Sequence, residues 1–331
     1  MKKNSKNKLP VLIIGYRRPK ETARVLQAVL YYGPSKIYFV CDGPKDNQEK
    51  SLVDKVRNLF DKNKIPNLQT KFFKENKGNK HTETFALNWF FNREKMGIIL
   101  EDDCLPNDDF FIFCEKNLEL YKNNEKVMHI SGSSPVDTFG YPYSFYFSKI
   151  PYVWGWASWA RAWKQNNLKS GDLLNKKLMN SIEVNFGLGR TSNSIKNEAI
   201  LSAKGLVDAW DFYWWAAILV NDGLTIVPTK NLVTNIGFGD NSTYCHNPND
   251  LGSNKKLENN VKFEPPKDLK YNGNDFDIQN LSYRFSLKRK LNVFIFMLRN
   301  PKKLVFLLSR NFSFIFSIYS YHLCKIKKSL L

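Results

Sequence analysis

Apolar positions change period repeatedly along the first 130 residues. "PVLIIGY" (10–16) is a short run rich in β-branched side chains, and "KETARVLQAVLYY" (20–32) carries its apolar residues at helical spacing until Gly33-Pro34 stops it. The pattern repeats. "KIYFVCD" predicts a strand, "NQEKSLVDKVRNLFDKN" an amphipathic helix, "QTKFFKE" a strand, "HTETFALNWFFNRE" a helix and "GIILEDD" a fourth strand. "DDFFIFCEKNLELY" predicts a further helix with Asn107 or Asp108 near its N-cap, and "VMHISGS" a further strand. Alternation of this kind predicts an α/β fold with a mostly parallel sheet flanked by helices.

Ligands of such sheets bind beyond the carboxyl ends of the strands. Two strands here end in acid: "FVCDGP" at Asp42 and "IILEDD" at Glu101, Asp102 and Asp103. Asp42-Gly43-Pro44 is also a turn signal. Three adjacent carboxylates repel one another, so they read either as a solvated loop or as the site of a hard cation. Mg²⁺ or Mn²⁺ takes one or two protein carboxylates and completes its shell with phosphate oxygens and water.

Four tryptophans fall in "PYVWGWASWARAW" (151–163) and three in "DAWDFYWW" (208–215). Most tryptophans in a chain of 331 residues pack in the core. Residues 247–280 are rich in Asn, Asp, Lys, Pro and Gly and predict a linker or surface loop.

The formal charge of +19 is uneven: Leu281 to Leu331 hold eleven Lys or Arg and no acid, which leaves +8 for the preceding residues. That tail alternates basic groups with apolar blocks such as "LNVFIFML" and "FSFIFSIYSYHL", none near the roughly 20 apolar residues that span a bilayer. It carries no nucleic-acid-binding motif, and its bulky apolar blocks suit phosphate poorly. An anionic membrane surface accounts for both charge and apolarity. Packing on the domain, or a homo-oligomer interface, is the alternative. Five cysteines, an odd number without a CxxC pair, argue against a disulfide framework and a structural zinc, and for a cytoplasmic setting. Leu9–Gly15 is short, runs into Arg17 and Arg18 and precedes no small-residue cleavage site, so it reads as a strand rather than an export signal.

The ordered set strand–"RRP"–helix–strand–"DGP"–helix–strand–helix–strand–"EDD"–helix, with Gly155-Trp156 and Trp210-Asp211 downstream, resembles GT-A nucleotide-sugar glycosyltransferases. More narrowly it resembles the N-acetylglucosaminyltransferase I-like group and related bacterial enzymes, over about residues 9–245. The resemblance implies a GT-A (Rossmann-like) catalytic domain at 9–246, with a nucleotide-binding part at 9–131 and an acceptor and catalytic part at 132–246. A basic arm (1–8) precedes it, and a basic, apolar helical tail (281–331) follows the loop. It also implies an inverting, metal-dependent transfer from a nucleoside-diphosphate sugar, UDP-sugar favoured, to a cell-surface glycan or lipid-linked acceptor. Asp103 would hold Mn²⁺ or Mg²⁺. Glu101 and Asp102 would sit by the ribose and the metal's water shell, Asp42 by the uracil, Arg18 by the nucleotide or its phosphates, and Trp210 along the donor sugar. Asp211 would be the general base, with Asp208, three residues earlier, as alternative base or as an N-cap. Trp156 is expected near the site, and Trp159, Trp163, Trp214 and Trp215 in packing. His81 lies about one residue out of register with the family's nucleotide-contacting histidine. His246 reads equally as a metal or diphosphate contact and as a surface loop residue. A sugar nucleotidyltransferase on a similar sheet is a competing reading, but "GYRRPKET" lacks the Gly-rich phosphate loop of that class. A basic membrane- or nucleic-acid-binding protein is the other.

Overall fold

A computed structural model describes residues 8–61, 63–207, 210–238 and 255–286. Strands β1 (Val11–Gly15), β2 (Ile37–Cys41), β3 (Leu68–Phe72) and β4 (Met96–Glu101) alternate with helices α1 (Pro19–Tyr32), α2 (Asn47–Asn58) and α3 (Asn79–Phe91). β1 pairs in parallel with β2 and β4, and β2 in parallel with β3. "VLIIG" and "IYFVC" are buried at every position, as befits parallel strands covered by helices on both faces. Pro19 starts α1, and Gly33 (φ 71°) ends it by donating its N–H to the Val29 carbonyl at 3.1 Å.

Past β4 the topology departs from simple alternation. The short strand β5 (Cys104–Pro106) leads to α4 (Asp108–Leu120), whose cap is Asn107, accepting from Phe110 N at 3.0 Å. β6 (Val127–Ser131), β7 (Phe145–Ser148), β8 (Trp156–Trp159) and β9 (Leu224–Pro228) complete an eight-stranded sheet of order β3-β2-β1-β4-β8-β6-β9-β7. β8 runs antiparallel to both neighbours, β6 and β9 pair in parallel, and β7 is antiparallel to β9. The architecture is therefore α/β, with the expected parallel half and a mixed second half. β10 (Val233–Asn235) forms a separate antiparallel ladder with β5.

A helical layer completes the core: α5 (Ala160–Trp163), α6 (Lys176–Phe186), α7 (Arg190–Ala203) and α8 (Asp211–Val220). Helix α8 is apolar all round because it is covered on both sides. Trp214, Ala217 and Ile218 pack with the sheet, while Phe212, Trp215, Ala216 and Leu219 pack with α6 and α7. Trp159, Trp163, Trp214 and Trp215 are all buried. His129 is enclosed among them. Its Nδ1 accepts from Trp214 Nε1 at 3.1 Å, so the ring proton sits on Nε2, which meets the Tyr152 carbonyl at 3.2 Å. Burial pushes this imidazole down to about 3, and it stays neutral.

The expected linker at 247–280 is corrected in part. Residues 255–272 carry no helix or strand but are tied down, with Val261 N donating to Asp109 Oδ2 and Glu264 N to Ser144 Oγ. Helix α9 (Asn274–Arg284) then crosses the expected boundary at 280 and docks on the core. Buried Asp277 accepts from Ser148 Oγ at 2.6 Å, Lys149 N at 3.0 Å and Tyr271 OH at 3.1 Å. Leu281 fills the cluster around α6 and α8. Among the described residues no helix is long and apolar enough to cross a membrane. The tail beyond residue 286 lies outside the described residues, as do Asp208 and His246.

Candidate active site

One cavity of about 400 Å³ opens at the carboxyl ends of β1, β2 and β4, within the range of small-molecule sites. Arg18, Asp42, Glu101, Asp102, Asp103, Trp210 and Asp211 all line it. They come from four separate places in the chain, joined by sheet order rather than by sequence. The loop leaving β1 supplies Arg18. Its backbone is pinned by Tyr16 N, which donates to Asp102 Oδ2 at 2.9 Å. Arg18 Nη1 donates to Asp102 Oδ1 at 3.3 Å and to Asp103 Oδ2. Burial works against the guanidinium's charge, but Asp103, Asp102 and Glu101 more than offset it and hold Arg18 protonated.

The acid triplet is held from behind by β10. Asn235 Nδ2 donates to Asp103 Oδ1 at 3.3 Å, and Ile236 N to the Asp103 carbonyl at 2.8 Å. Gly237 follows, and an added Cβ there would collide with the Asp103 carboxylate. The short β5–β10 ladder thus fixes the direction of Asp103, and only glycine allows so close an approach.

The lining holds six carboxyls, Asp42, Glu83, Glu101, Asp102, Asp103 and Asp211, against three basic side chains, Arg17, Arg18 and Lys45. Arg17 already pairs with Glu49 at 2.6 Å. Burial and the neighbouring acids push Glu101 well above the ordinary carboxylate range. Asp102 is pushed up to about 6, by burial first, with Arg18 opposing and Asp103 adding. Such a surplus of crowded oxygen ligands suits a hard divalent cation. Among the described residues no three His, Cys, Asp or Glu side chains converge into a complete cage.

Asp42 faces the cavity but is already engaged. Its Oδ1 accepts from Gly43 N and Lys77 N, both at 2.8 Å, and its Oδ2 from Asn76 Nδ2 at 2.9 Å and Gly78 N at 3.1 Å. A carboxylate offers about four acceptor positions, so Asp42 clamps the β2–α2 loop to the turn before α3. A uracil contact would have to replace one of these bonds.

Trp156, expected near the site, lies one layer behind the cavity wall. It is 1% exposed, is absent from the lining, and stacks behind Trp210 with ring centroids 5.9 Å apart. Trp154 lines the cavity instead. Trp210 is 5% exposed, stacks on Trp156 and lines the cavity. His81 is exposed on α3, edge-on to Phe73 at 5.6 Å, and does not line the cavity. Asp211 begins α8, its Oδ1 accepting from Phe212 N at 3.0 Å. Burial raises its carboxyl above the ordinary aspartate value, with Arg284 opposing.

Sequence reasoning misses Glu83, Trp154, Asn76 and Asn235. Glu83 shares the buried face of α3 with Thr82, Ala86, Leu87 and Phe90, and no local sequence pattern marks it. Burial, then Glu101, Asp102, Asp103 and Asp211, raises it well above the ordinary range.

No protein-family model and no curated protein matches this chain. Among solved structures, it is similar to mannosyltransferase PcManGT from Pyrobaculum calidifontis, determined with GDP-Man and Mn²⁺, at TM-score 0.37 and 14% identity over 66% of this chain and 77% of that one. The bifunctional glycosyltransferase WbbM, in its apo form, is similar at TM-score 0.31 and 9% identity, over 61% of this chain and 38% of that one. Glycosyltransferase GlyE of Streptococcus pneumoniae TIGR4 is similar at TM-score 0.28 and 12% identity, over 58% of this chain and 44% of that one.

Proposed function

We propose that this chain is a metal-dependent glycosyltransferase that moves a hexosyl or N-acetylhexosaminyl group from a nucleoside-diphosphate sugar, UDP-sugar favoured, to a glycan or lipid-linked acceptor. One observation carries the reading: Arg18, Asp102, Asp103, Trp210 and Asp211 line a single cavity at the carboxyl ends of parallel strands. Asp103, with Asp102 beside it, would hold Mn²⁺ or Mg²⁺. When bound, the cation supplies charge stabilisation to the departing diphosphate.

The chain's own residues do the rest. Arg18 stays cationic and faces the phosphates. Trp210 offers an apolar surface to the sugar. Asp211 takes the proton of the acceptor hydroxyl as its oxygen bonds to the anomeric carbon and the bond from that carbon to the diphosphate oxygen breaks, which inverts the anomeric configuration. The direct test is a panel of nucleotide sugars, with and without Mn²⁺. At least one nucleoside-diphosphate sugar should raise the melting temperature and be slowly hydrolysed only with the cation. Ligand at 100 times its Kd adds about 2.7 kcal/mol of stability, a shift of several degrees. No stabilisation and no hydrolysis by any member would sink the reading.

The same proposal includes a cytoplasmic enzyme held on the inner membrane face by its basic tail. The support is sequence charge: ten Lys or Arg and no acid after residue 286. Each basic residue near an anionic surface contributes about 1 kcal/mol. Because α9 docks on the core, the informative truncation ends at residue 286, later than the expected boundary. The full chain should sediment with acidic vesicles at low salt and detach as salt rises, while the shortened chain stays in solution and folded. Equal vesicle binding by both chains would remove the tail from the membrane.

A further inference from the structure

The first turns of α3 present two polar atoms that nothing in the described chain satisfies. Thr82 and Glu83 are 4% and 3% exposed, and both line the cavity. Thr82 Oγ1 and Glu83 Oε2 are buried, without a hydrogen-bond partner among the described residues. Buried polar atoms nearly always find partners, and an orphaned pair side by side in a cavity wall marks where a ligand supplies them.

The chemistry narrows that ligand group. A carboxyl that holds its proton, like a threonine hydroxyl, both gives and takes a hydrogen bond. Phosphate oxygens are acceptors only and negatively charged, and the acids around Glu83 disfavour them. Glu101, Asp102, Asp103 and Asp211 add to the negative field at Glu83. The matching group is uncharged and rich in O–H.

Resting on the glycosyltransferase reading, we propose that Glu83 and Thr82 bind hydroxyl groups of the donor sugar, and that the donor is an uncharged sugar with free hydroxyls, not a uronic or sialic acid. Glu83 and Thr82 each exchange a hydrogen bond with a hydroxyl. The pair lines the same cavity as Trp210 and Asp211, and Asp211 is near enough to act on the Glu83 carboxyl, so recognition of hydroxyls would set the sugar against the residue that receives the acceptor's proton. Water in the shell of a bound cation is the other source of O–H donors, and the test separates the two.

The test uses the full chain, with Mn²⁺, the nucleotide sugar bound most tightly in the panel, and its parent nucleoside diphosphate. The variants are Glu83→Met, which removes the acceptor at similar volume, Thr82→Val, which removes the hydroxyl, and Glu83→Gln, which keeps a side-chain carbonyl. In the wild type the sugar adds affinity over the nucleoside diphosphate. Glu83→Met should erase about 3- to 10-fold of that increment, the scale of a neutral hydrogen bond, with nucleoside diphosphate affinity unchanged. Thr82→Val should erase less, and Glu83→Gln should restore part of it. Deoxy donors lacking the recognised hydroxyl should cost the wild type affinity and cost Glu83→Met none. UDP-glucuronic acid should bind no tighter than UDP. An unchanged increment in Glu83→Met overturns the proposal. So does an equal loss for sugar nucleotide and nucleoside diphosphate, which assigns Glu83 to the cation's water shell. Should Glu83→Met fail to fold, Thr82→Val and the deoxy series decide alone. If the wild type binds no nucleotide sugar at all, the glycosyltransferase reading fails first, a separate result.

Discussion

Replacing Asp103 with asparagine should reduce transfer by at least about 10²-fold, the scale of losing one charge-stabilising group at a reaction centre, and should abolish metal-dependent nucleotide binding. The fold should survive. Asparagine keeps one side-chain oxygen for the Arg18 guanidinium, which now pairs with Asp103 Oδ2, and the substitution removes one charge from a crowded group of carboxylates. The backbone anchor from Ile236 N to the Asp103 carbonyl, 2.8 Å, does not involve the side chain. Thermal unfolding of the variant should therefore stay cooperative while calorimetry with Mn²⁺ and nucleoside diphosphate becomes silent. Turnover within tenfold of wild type, or wild-type turnover that ignores a chelator, would take the cation out of the reaction.

The parallel half of the fold was legible because its signals are local. β1 and β2 are continuous apolar runs, α1 carries a proline start and a glycine stop, and each element adjoins the next in the chain. The mixed half was not. β7 "FYFS" and β8 "WASW" are four residues each, too short for a period to declare itself. The insertion of β8 between β4 and β6 is set by long-range pairing that no local pattern encodes. The site divides in the same way. Strand-end acids were readable because a strand that runs into carboxylates is unusual. Trp154 lines the cavity and Trp156 stands behind it because Gly155, at φ 65°, turns the chain between them. Two tryptophans two residues apart then fail to share a face as they would along a regular strand. Glu83 resembles any polar residue of an amphipathic helix until the packing of α3 against β1 and β2 turns it inward. Asp42 was readable as a strand-end acid, but its saturation by Gly43, Asn76, Lys77 and Gly78 depends on a turn more than thirty residues away.

Asp211→Asn should leave donor binding intact and lower turnover by about 10²–10⁴-fold, the usual contribution of a general base. The expectation follows from where α8 begins. Its apolar body is locked between the sheet and the α6–α7 layer, so the carboxylate at its first residue is carried on a rigid element and cannot drift from the cavity. Phe212 N donates to Oδ1 at 3.0 Å, and an asparagine oxygen accepts the same bond, so the substitution removes basicity without releasing the side chain. The pH dependence gives a second readout. Burial raises Asp211 above the ordinary aspartate value, and the base works only when ionised. Below that raised value the carboxyl holds its own proton and cannot accept one from the acceptor. As pH rises through it, kcat/KM of the wild type should rise with unit slope and then level off, with the inflection above the ordinary aspartate range. In Asp211→Asn that limb should vanish while the residual rate loses its dependence on this group. A limb that persists in the variant assigns it to another carboxyl. Asp208→Asn is the matching control: if it shows the large loss and Asp211→Asn does not, the proton goes to Asp208. A product that keeps the donor's anomeric configuration would exclude the direct displacement whichever aspartate is altered, because attack from the face opposite the leaving diphosphate must invert that carbon.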